Sequence, residues 1–245
     1  MTQFRKLSII IPVFNEERTL SHLVSAVESV ELPLEKEIIL VDDCSTDGSR
    51  EILYHISKSV EGGPPQEIKI LFLENNQGKG AAVKRGFGEA AGDIVLIQDA
   101  DMEYNPKEYP ILIAPIINGK ADVVYGSRFL ETKSNNQIVY KHGYLFSQAL
   151  NWLSNVLSGV RLTDMYTCYK VFSRNALDQI YPHLTAKRFG IDPELTAWAG
   201  KLNLIIVEVP ISYKGRTYEE GKKINWKDGI AAIFHIIKYN LFTKK

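Results

Sequence analysis

The sequence predicts an α/β fold in which an open, twisted, mostly parallel sheet is flanked by helices. Short aliphatic runs alternate with amphipathic stretches through the first half, and that alternation implies right-handed strand–helix–strand crossovers. The runs are too continuous for strands exposed on one face, which suits a parallel sheet covered on both sides. Polar motifs follow the runs, at the carboxyl ends where open sheets bind their ligands.

The elements follow in order. "LSIIIPVF" (7–14), "KEIILVDD" (36–43), "IKILFLE" (68–74), "GDIVLIQD" (92–99) and "ADVVYGS" (121–127) are the expected strands. Between the first two, Leu20, Leu23, Val24, Val27 and Val30 keep helical spacing over 16–31. Asp47 or Ser49 can cap a helix over 50–60, and 79–91 and 107–118 fill the remaining helical slots. "EGGPP" (61–65) reads as a surface turn. The second half is less regular. Helices are expected over 143–158, 188–200 and 225–242, and strands at "YTCYKVFS" (166–173) and "LNLIIVEVPISY" (202–213). The organisation expected is one domain: a ligand-binding half over 1–128, a second half over 129–224 and a C-terminal amphipathic helix over 225–245.

Composition narrows the function. At 245 residues, 45% hydrophobic and 24% charged, the chain has the make-up of a soluble globular protein. Lys+Arg and Asp+Glu are equal at 29 each, so no global field argues for nucleic acid and any attraction to anions must be local. Cys44 and Cys168 form no CxxC pair, the pattern of two ordinary thiols in a reducing cytosol. The apolar run near the start is short, isoleucine-rich and stopped by Pro12 and Asn15, so it reads as a first strand rather than a signal peptide. No stretch approaches the roughly 18 apolar residues of a transmembrane helix. None of the five His residues shows metal-ligand spacing.

The chemistry concentrates in "LIQDADMEYNP" (96–106). If the chain stays extended, Asp99, Asp101 and Glu103 point the same way, about 6.6 Å apart in succession. A hard divalent cation removes their repulsion, and Mg²⁺ takes one or two carboxylates and completes its shell with water and substrate phosphates. Asp101 is the foremost ligand candidate; Asp99 can bind directly, bind through water, or hold a sugar hydroxyl. "VDDCSTDGS" (41–49) sets Asp42 and Asp43 at the same mouth, where carboxylates can accept from a base or from ribose. Lys79, between two glycines in "NNQGKGAAVKRG" (75–86), can approach a diphosphate or sugar, although the P-loop spacing is absent. In "RFGIDPELTAWA" (188–199) Pro193 and Asp192 suit a helix start, with Asp192 as cap.

Together these motifs resemble the inverting nucleotide-sugar glycosyltransferases of family 2. The likeness is to the branch typified by dolichyl-phosphate mannose synthases and polyprenyl-phosphate glucosyltransferases. It spans roughly residues 6–225 and is carried by "SIIIPVFNEE", "VDDCSTDGS", "NQGKGAAVKRGF", "DIVLIQDADMEYNP", "VVYGSRF", "LTDMYTCYKVFSR", "FGIDPELTAWA" and "VPISYKGRTYEEGKKI". The resemblance implies a Rossmann-like GT-A fold and transfer of a hexose, with Mg²⁺ or Mn²⁺. The donor implied is a GDP- or UDP-sugar (GDP-mannose or UDP-glucose), and the acceptor a polyprenyl phosphate. It places Pro12, Val13, Asn15, Glu16, Asp42, Asp43, Lys79, Asp99 and Ala100 around the nucleotide sugar. Asp99 and Asp101 would manage metal, diphosphate and sugar. Glu103 stands where the best-known mannose synthases have glutamine, and adds a third charge to the metal set. Arg128, Arg216, Lys222 and Lys223 are the local cations for an acceptor phosphate. The processive "QxxRW" motif is missing, and "TCY" departs from the usual pattern ahead of Lys170.

The helices at 143–158 and 225–242 leave two readings open: core-facing, or lying on a membrane surface, for which Trp152, Trp226, Lys227, Lys238, Lys244 and Lys245 are suited. The resemblance implies a peripheral enzyme on the cytosolic membrane face, helped by a small membrane-protein partner. The rival with the same fold uses a soluble glycan or protein acceptor, and a third reading is a non-catalytic scaffold.

Overall fold

The isoleucine run near the start forms an interior strand of the sheet. A computed structural model of the chain describes residues 4–60, 67–130, 141–216 and 226–244. The turn at 61–65, Lys222, Lys223 and Lys245, and the side chains of Trp226 and Lys227 lie outside what is described. Strand β1 (Lys6–Val13) pairs in parallel with β2 (Glu35–Asp42) on one side and β4 (Ile94–Ile97) on the other. Ile9, Ile10 and Ile11 are all fully buried, so both faces of β1 are covered. Burying each such side chain contributes about 1.5–3 kcal/mol. Helix α1 (Leu20–Glu28) turns Leu20, Leu23, Val24 and Val27 inward, as the spacing predicts. Helix α2 (Ser49–Val60) leads to the edge strand β3 (Glu67–Phe72), and α3 (Lys79–Glu89) crosses back over the sheet. A Cβ on Gly86 would stand 2.4 Å from Ile10 Cγ2, so this glycine sets how closely α3 approaches β1.

After β4 a 3₁₀ turn (Pro106–Glu108) runs into α4 (Tyr109–Ile117) and then β5 (Val123–Ser127). Helix α5 (Lys141–Ser158), β6 (Lys170–Ser173), α6 (Arg174–Ile180), α7 (Ile191–Lys201), β7 (Ile206–Pro210) and α8 (Trp226–Leu241) complete the described elements. The sheet order is β3-β2-β1-β4-β6-β5-β7. β6 is antiparallel to both β4 and β5, so β4 and β5 are not neighbours but flank a strand drawn from the second half.

Several expectations need correction. The strand expected over 92–99 ends at Ile97, that at 166–173 begins only at Lys170, and that at 202–213 shrinks to Ile206–Pro210. Helix α6 is additional: Ser173 caps it by accepting from the Ala176 N–H at 3.2 Å, and Ala176, Leu177 and Ile180 face inward. The residue preceding α7 is Gly190, not Asp192, whose carboxylate is drawn instead to Lys170. Helices α5 and α8 each face the core along one side and leave apolar residues exposed along another. Leu150 and Ser154 on α5, and Ile236 and Tyr239 on α8, are buried. Leu145, Phe146, Trp152, Val156, Ile230, Phe234 and Leu241 stay exposed.

Candidate active site

The carboxyl ends of β1 and β2 are stitched together before any ligand is considered. Asn15 has φ +53° and Cys44 φ +61°, conformations unusual for side-chain-bearing residues. They are held by cross-bonds: the Asn15 N–H donates to Ser45 Oγ at 3.0 Å, and Asn15 Oδ1 accepts from the Thr46 N–H at 2.8 Å. Asp42 accepts from Arg50 Nε at 2.8 Å and from the Ser45 N–H. Asp43 accepts from the N–H groups of Gln77 and Gly78, both at 2.7 Å, tying β2 to the start of α3. Burial pushes the Asp43 carboxyl up, against those two donors. Both acids are buried and engaged with protein donors. In the sheet Val13 stands opposite Asp42, and Pro12 opposite Val41, at the ends of β1 and β2.

The acidic stretch does not continue the strand. Gln98 is buried and accepts from the hydroxyls of Tyr109 and Tyr169, each at 2.8 Å. The chain then turns through Ala100 and Asp101, and Met102 takes φ +60°. This corrects the expectation of three acids on one extended face: Asp99 pairs with a lysine, while Asp101 and Glu103 both engage Arg216. Asp99 meets Lys79 Nζ at 2.6 Å. Burial raises the Asp99 carboxyl, but Lys79 outweighs it and the net direction is down. Asp101 meets Arg216 Nη2 at 2.8 Å. Burial first, then the charges of Asp99 and Glu103, push the Asp101 carboxyl up to about 7 despite Arg216. Glu103 accepts from the Tyr213 hydroxyl and the Arg216 N–H, both at 2.8 Å. Among the described residues no group of three or more His, Cys, Asp or Glu is arranged to hold a metal ion.

Arg216 thus bridges the acidic loop and the turn between β1 and α1. Its Nη1 lies 3.1 Å from Glu16 Oε2, and its guanidinium completes a cage of Glu16, Asp101 and Glu103. A cavity of about 360 Å³ opens beside it, lined by Asn15, Glu16, Asp101, Met102, Lys214 and Arg216 among others. Arg128, at the end of β5, makes a bidentate pair with Asp164 at 2.7 and 2.8 Å. Its guanidinium carbon lies 4.9 Å from the centroid of Tyr213, and that ring packs on Tyr104 at 5.3 Å. Tyr213 therefore sits between the two arginines and touches the environment of each.

Sequence reasoning missed several members. Asp164 was quoted only inside a motif, and Tyr213 and Glu208 were not singled out. Glu208 accepts from the N–H groups of Thr163 and Asp164 and so orients the Asp164 loop. Below the mouth, buried Lys170 donates to Asp192 at 2.5 Å, and its ammonium lies over Tyr125 at 5.0 Å. A lysine inside an apolar strand was the available signal, since such a charge needs a partner. Cys168 packs below Asp99, where burial pushes its thiol well up, and both cysteines are free.

Acids and cations paired with one another at the carboxyl ends of an open sheet form the candidate site, and comparison with known proteins gives the family. The chain belongs to glycosyl transferase family 2, whose family model matches residues 8–181. It is an enzyme of the glycosyltransferase class. Among its relatives, the dolichol-phosphate mannosyltransferase of Pyrococcus furiosus is 36% identical over 126 residues, which is 51% of this chain and 34% of that protein. The UDP-N-acetylglucosamine–dolichyl-phosphate N-acetylglucosaminyltransferase of Methanococcus voltae is 29% identical over 94% of both chains. The dolichyl-phosphate beta-glucosyltransferase of Dictyostelium discoideum is 29% identical over 89% of this chain and 68% of that one. The GT-A fold is shared with glucosyl-3-phosphoglycerate synthase of Mycobacterium tuberculosis, solved with Mg²⁺ and UDP. The TM-score is 0.69 at 19% identity, covering 96% of this chain and 79% of that one.

Proposed function

We propose that this chain transfers a hexose, with inversion, from a nucleoside-diphosphate sugar to a polyprenyl phosphate at the cytosolic face of a membrane. The supporting observation is the convergence at one mouth of Lys79–Asp99, Arg216–Asp101 and Arg128–Asp164, next to helices with exposed apolar faces. The dolichyl-phosphate transferases among its relatives support the acceptor class. Mannose and glucose are the favoured hexoses, from GDP-mannose or UDP-glucose.

A phosphate monoester has its second pKa near 6, so it is mostly dianionic at neutral pH and needs no strong general base. The obstacle is electrostatic. Each pair of unit charges about 5 Å apart costs roughly 3 kcal/mol at an effective dielectric of 20. Arg128 and Arg216 offset this for the acceptor, and a guanidinium grips a phosphate by two parallel bonds. Lys222 and Lys223 are further candidates from the sequence. Asn15, Glu16, Asp42 and Asp43 shape the nucleoside side, and Lys79 orients Asp99 toward the sugar. The donor set fits a divalent cation: Asp101 offers hard oxygen to a place where a guanidinium now stands as counter-charge. Asp101, with Asp99, would hold Mg²⁺ or Mn²⁺, which supplies Lewis-acid stabilisation of the leaving diphosphate.

Among the described residues no helix is long and apolar enough to cross a membrane. The exposed faces of α5 and α8 suit peripheral attachment, alone or through a small membrane protein. They also favour the lipid acceptor over a soluble one, since a soluble acceptor gives no reason to leave Phe234 and Trp152 bare. The test is purified protein with Mg²⁺ or Mn²⁺, a panel of GDP- and UDP-sugars, and polyprenyl phosphate in detergent against soluble phosphorylated and glycan acceptors. Nucleotide release that depends on the lipid phosphate is expected. Release with soluble acceptors only, or with none, overturns the reading.

A further inference from the structure

Helix α5 carries two asparagines on its inner side, where an amphipathic helix would place apolar residues. Asn151 is buried and Asn155 half-buried, four positions apart and so on one face. Asparagine is a poor residue for a helix interior, and a buried amide needs hydrogen-bond partners. Both find them in the loop that carries Asp164. Asn151 Nδ2 donates to the Leu162 carbonyl at 2.5 Å, and its Oδ1 accepts from the Met165 N–H at 3.0 Å. Asn155 Nδ2 donates to the same carbonyl at 2.7 Å, and its Oδ1 accepts from the Leu162 N–H at 3.1 Å. These bonds hold the chain on both sides of Asp164, whose carboxylate grips Arg128 through Nε and Nη2. The start of α5 reaches the same arginine by another route. The Tyr144 ring meets Phe129 edge-on at 5.1 Å, and the Arg128 guanidinium carbon lies 5.3 Å from the Phe129 centroid.

We propose that Asn151 and Asn155 are positioning residues for Arg128, acting through the backbone at 162–165 and the carboxylate of Asp164. Arg128 is then aimed by a helix and not by its own strand alone. The same helix leaves Leu145, Phe146, Trp152 and Val156 exposed on its outer side. The element with the bare apolar side is therefore also the element that supports the arginine. On the lipid-phosphate reading above, the arginine that meets the acceptor phosphate is mounted on the helix that rests on the lipid. That consequence rests on the reading; the clamp on Arg128 does not.

The clamp is tested first, without substrate. Arginine Nε–H groups of the whole chain are followed by ¹H–¹⁵N NMR, and the Arg128 signal is assigned by its loss in Arg128→Lys. Wild type, Asn151→Ala, Asn155→Ala and Leu150→Ala are compared, with thermal melts to establish folding. Leu150 is buried on the same helix outside the clamp, so its variant controls for destabilisation alone. In each asparagine variant the Arg128 Nε–H should exchange with solvent faster by roughly fivefold or more, the worth of about one hydrogen bond, while Leu150→Ala leaves it unchanged. Asn155→Ala, at the half-buried position, carries the test alone if Asn151→Ala does not fold. Unchanged exchange in the asparagine variants, or an equal rise in Leu150→Ala, overturns the clamp. In turnover the asparagine variants should raise the KM for polyprenyl phosphate by roughly fivefold and spare the KM for the donor. An equal rise in both KM values would reduce the asparagines to a structural role and end the proposal. If wild type uses no lipid phosphate, the acceptor reading falls by itself, and the exchange rates still decide the clamp.

Discussion

Replacing Asp164 by Asn isolates what holds Arg128 in place. The Asp164 carboxylate accepts three bonds from that one residue: from Nε at 2.7 Å, Nη2 at 2.8 Å and the backbone N–H at 3.1 Å. It is 1% exposed and the arginine side chain 16% exposed, so solvent screens the pair little. An asparagine keeps one acceptor oxygen but turns an NH₂ toward a guanidinium that has only donors. Breaking one side of such a buried pair costs about 3–5 kcal/mol, within the roughly 3–6 kcal/mol that two charge-assisted bonds at about 1.5–3 kcal/mol each would give. For a chain of this size each kcal/mol lowers Tm by about 2–4 °C, so a drop of about 6–20 °C is expected. Scanning calorimetry reads it directly. The double variant Arg128→Met/Asp164→Leu should recover most of the loss, because an apolar pair leaves no uncompensated charge. A single-variant cost below about 1 kcal/mol, or a double variant no better than the single, would refute this account.

Gly86→Ala forces a methyl to within 2.4 Å of Ile10 and should cost about 1–3 kcal/mol in urea unfolding. Glu37 is buried and its carboxyl titrates below the usual range: burial works against this, but Lys69 at 2.7 Å, Ser8 and the Ala91 N–H outweigh it. Its stabilisation is therefore complete above the unfolded carboxylate pKa of about 4.3 and lost as pH falls through the lower folded value. Glu37→Gln should flatten that acid limb in unfolding measurements; an unaltered limb would count against the assignment. Leu145→Glu/Phe234→Glu should cut sedimentation with anionic vesicles by more than roughly tenfold, since each exposed side chain is worth about 1.5–3 kcal/mol when buried. Turnover of a short, water-soluble prenyl phosphate should stay unchanged.

The parallel part of the sheet was legible because β1, β2 and β4 are covered on both faces and so read as unbroken aliphatic runs. Helix α1 was legible for a related reason, its buried side repeating with the helical period. The acidic loop was legible only in composition. Its turn at Met102 has no local signal, since a methionine with positive φ is placed by contacts and not by propensity. The partners of Glu103 lie 110 and 113 residues away, beyond any pattern of neighbours. Asp164 was hidden likewise: nothing near it in sequence announces that it faces Arg128, 36 positions earlier. Helix α6 was missed although Ser173, Ala176, Leu177 and Ile180 carry a cap and an inward stripe. A helix of 7 residues gives periodicity little room to emerge.

The place of β6 bears on how the chain is made. β5 pairs only with β6 and β7 among the described strands, and β6 is what joins it to β4. During synthesis from the N-terminus, β4 and β5 leave the ribosome with unmatched edges and must wait for residues 170–173. At about 5–20 residues per second that wait lasts several seconds. A fragment ending near residue 128 would keep the acids and lose the strand that joins β5 to them. One sheet thus ties residues on either side of 128 together, and the nascent chain should lean on chaperones until Val171 pairs with Leu96 and Val124.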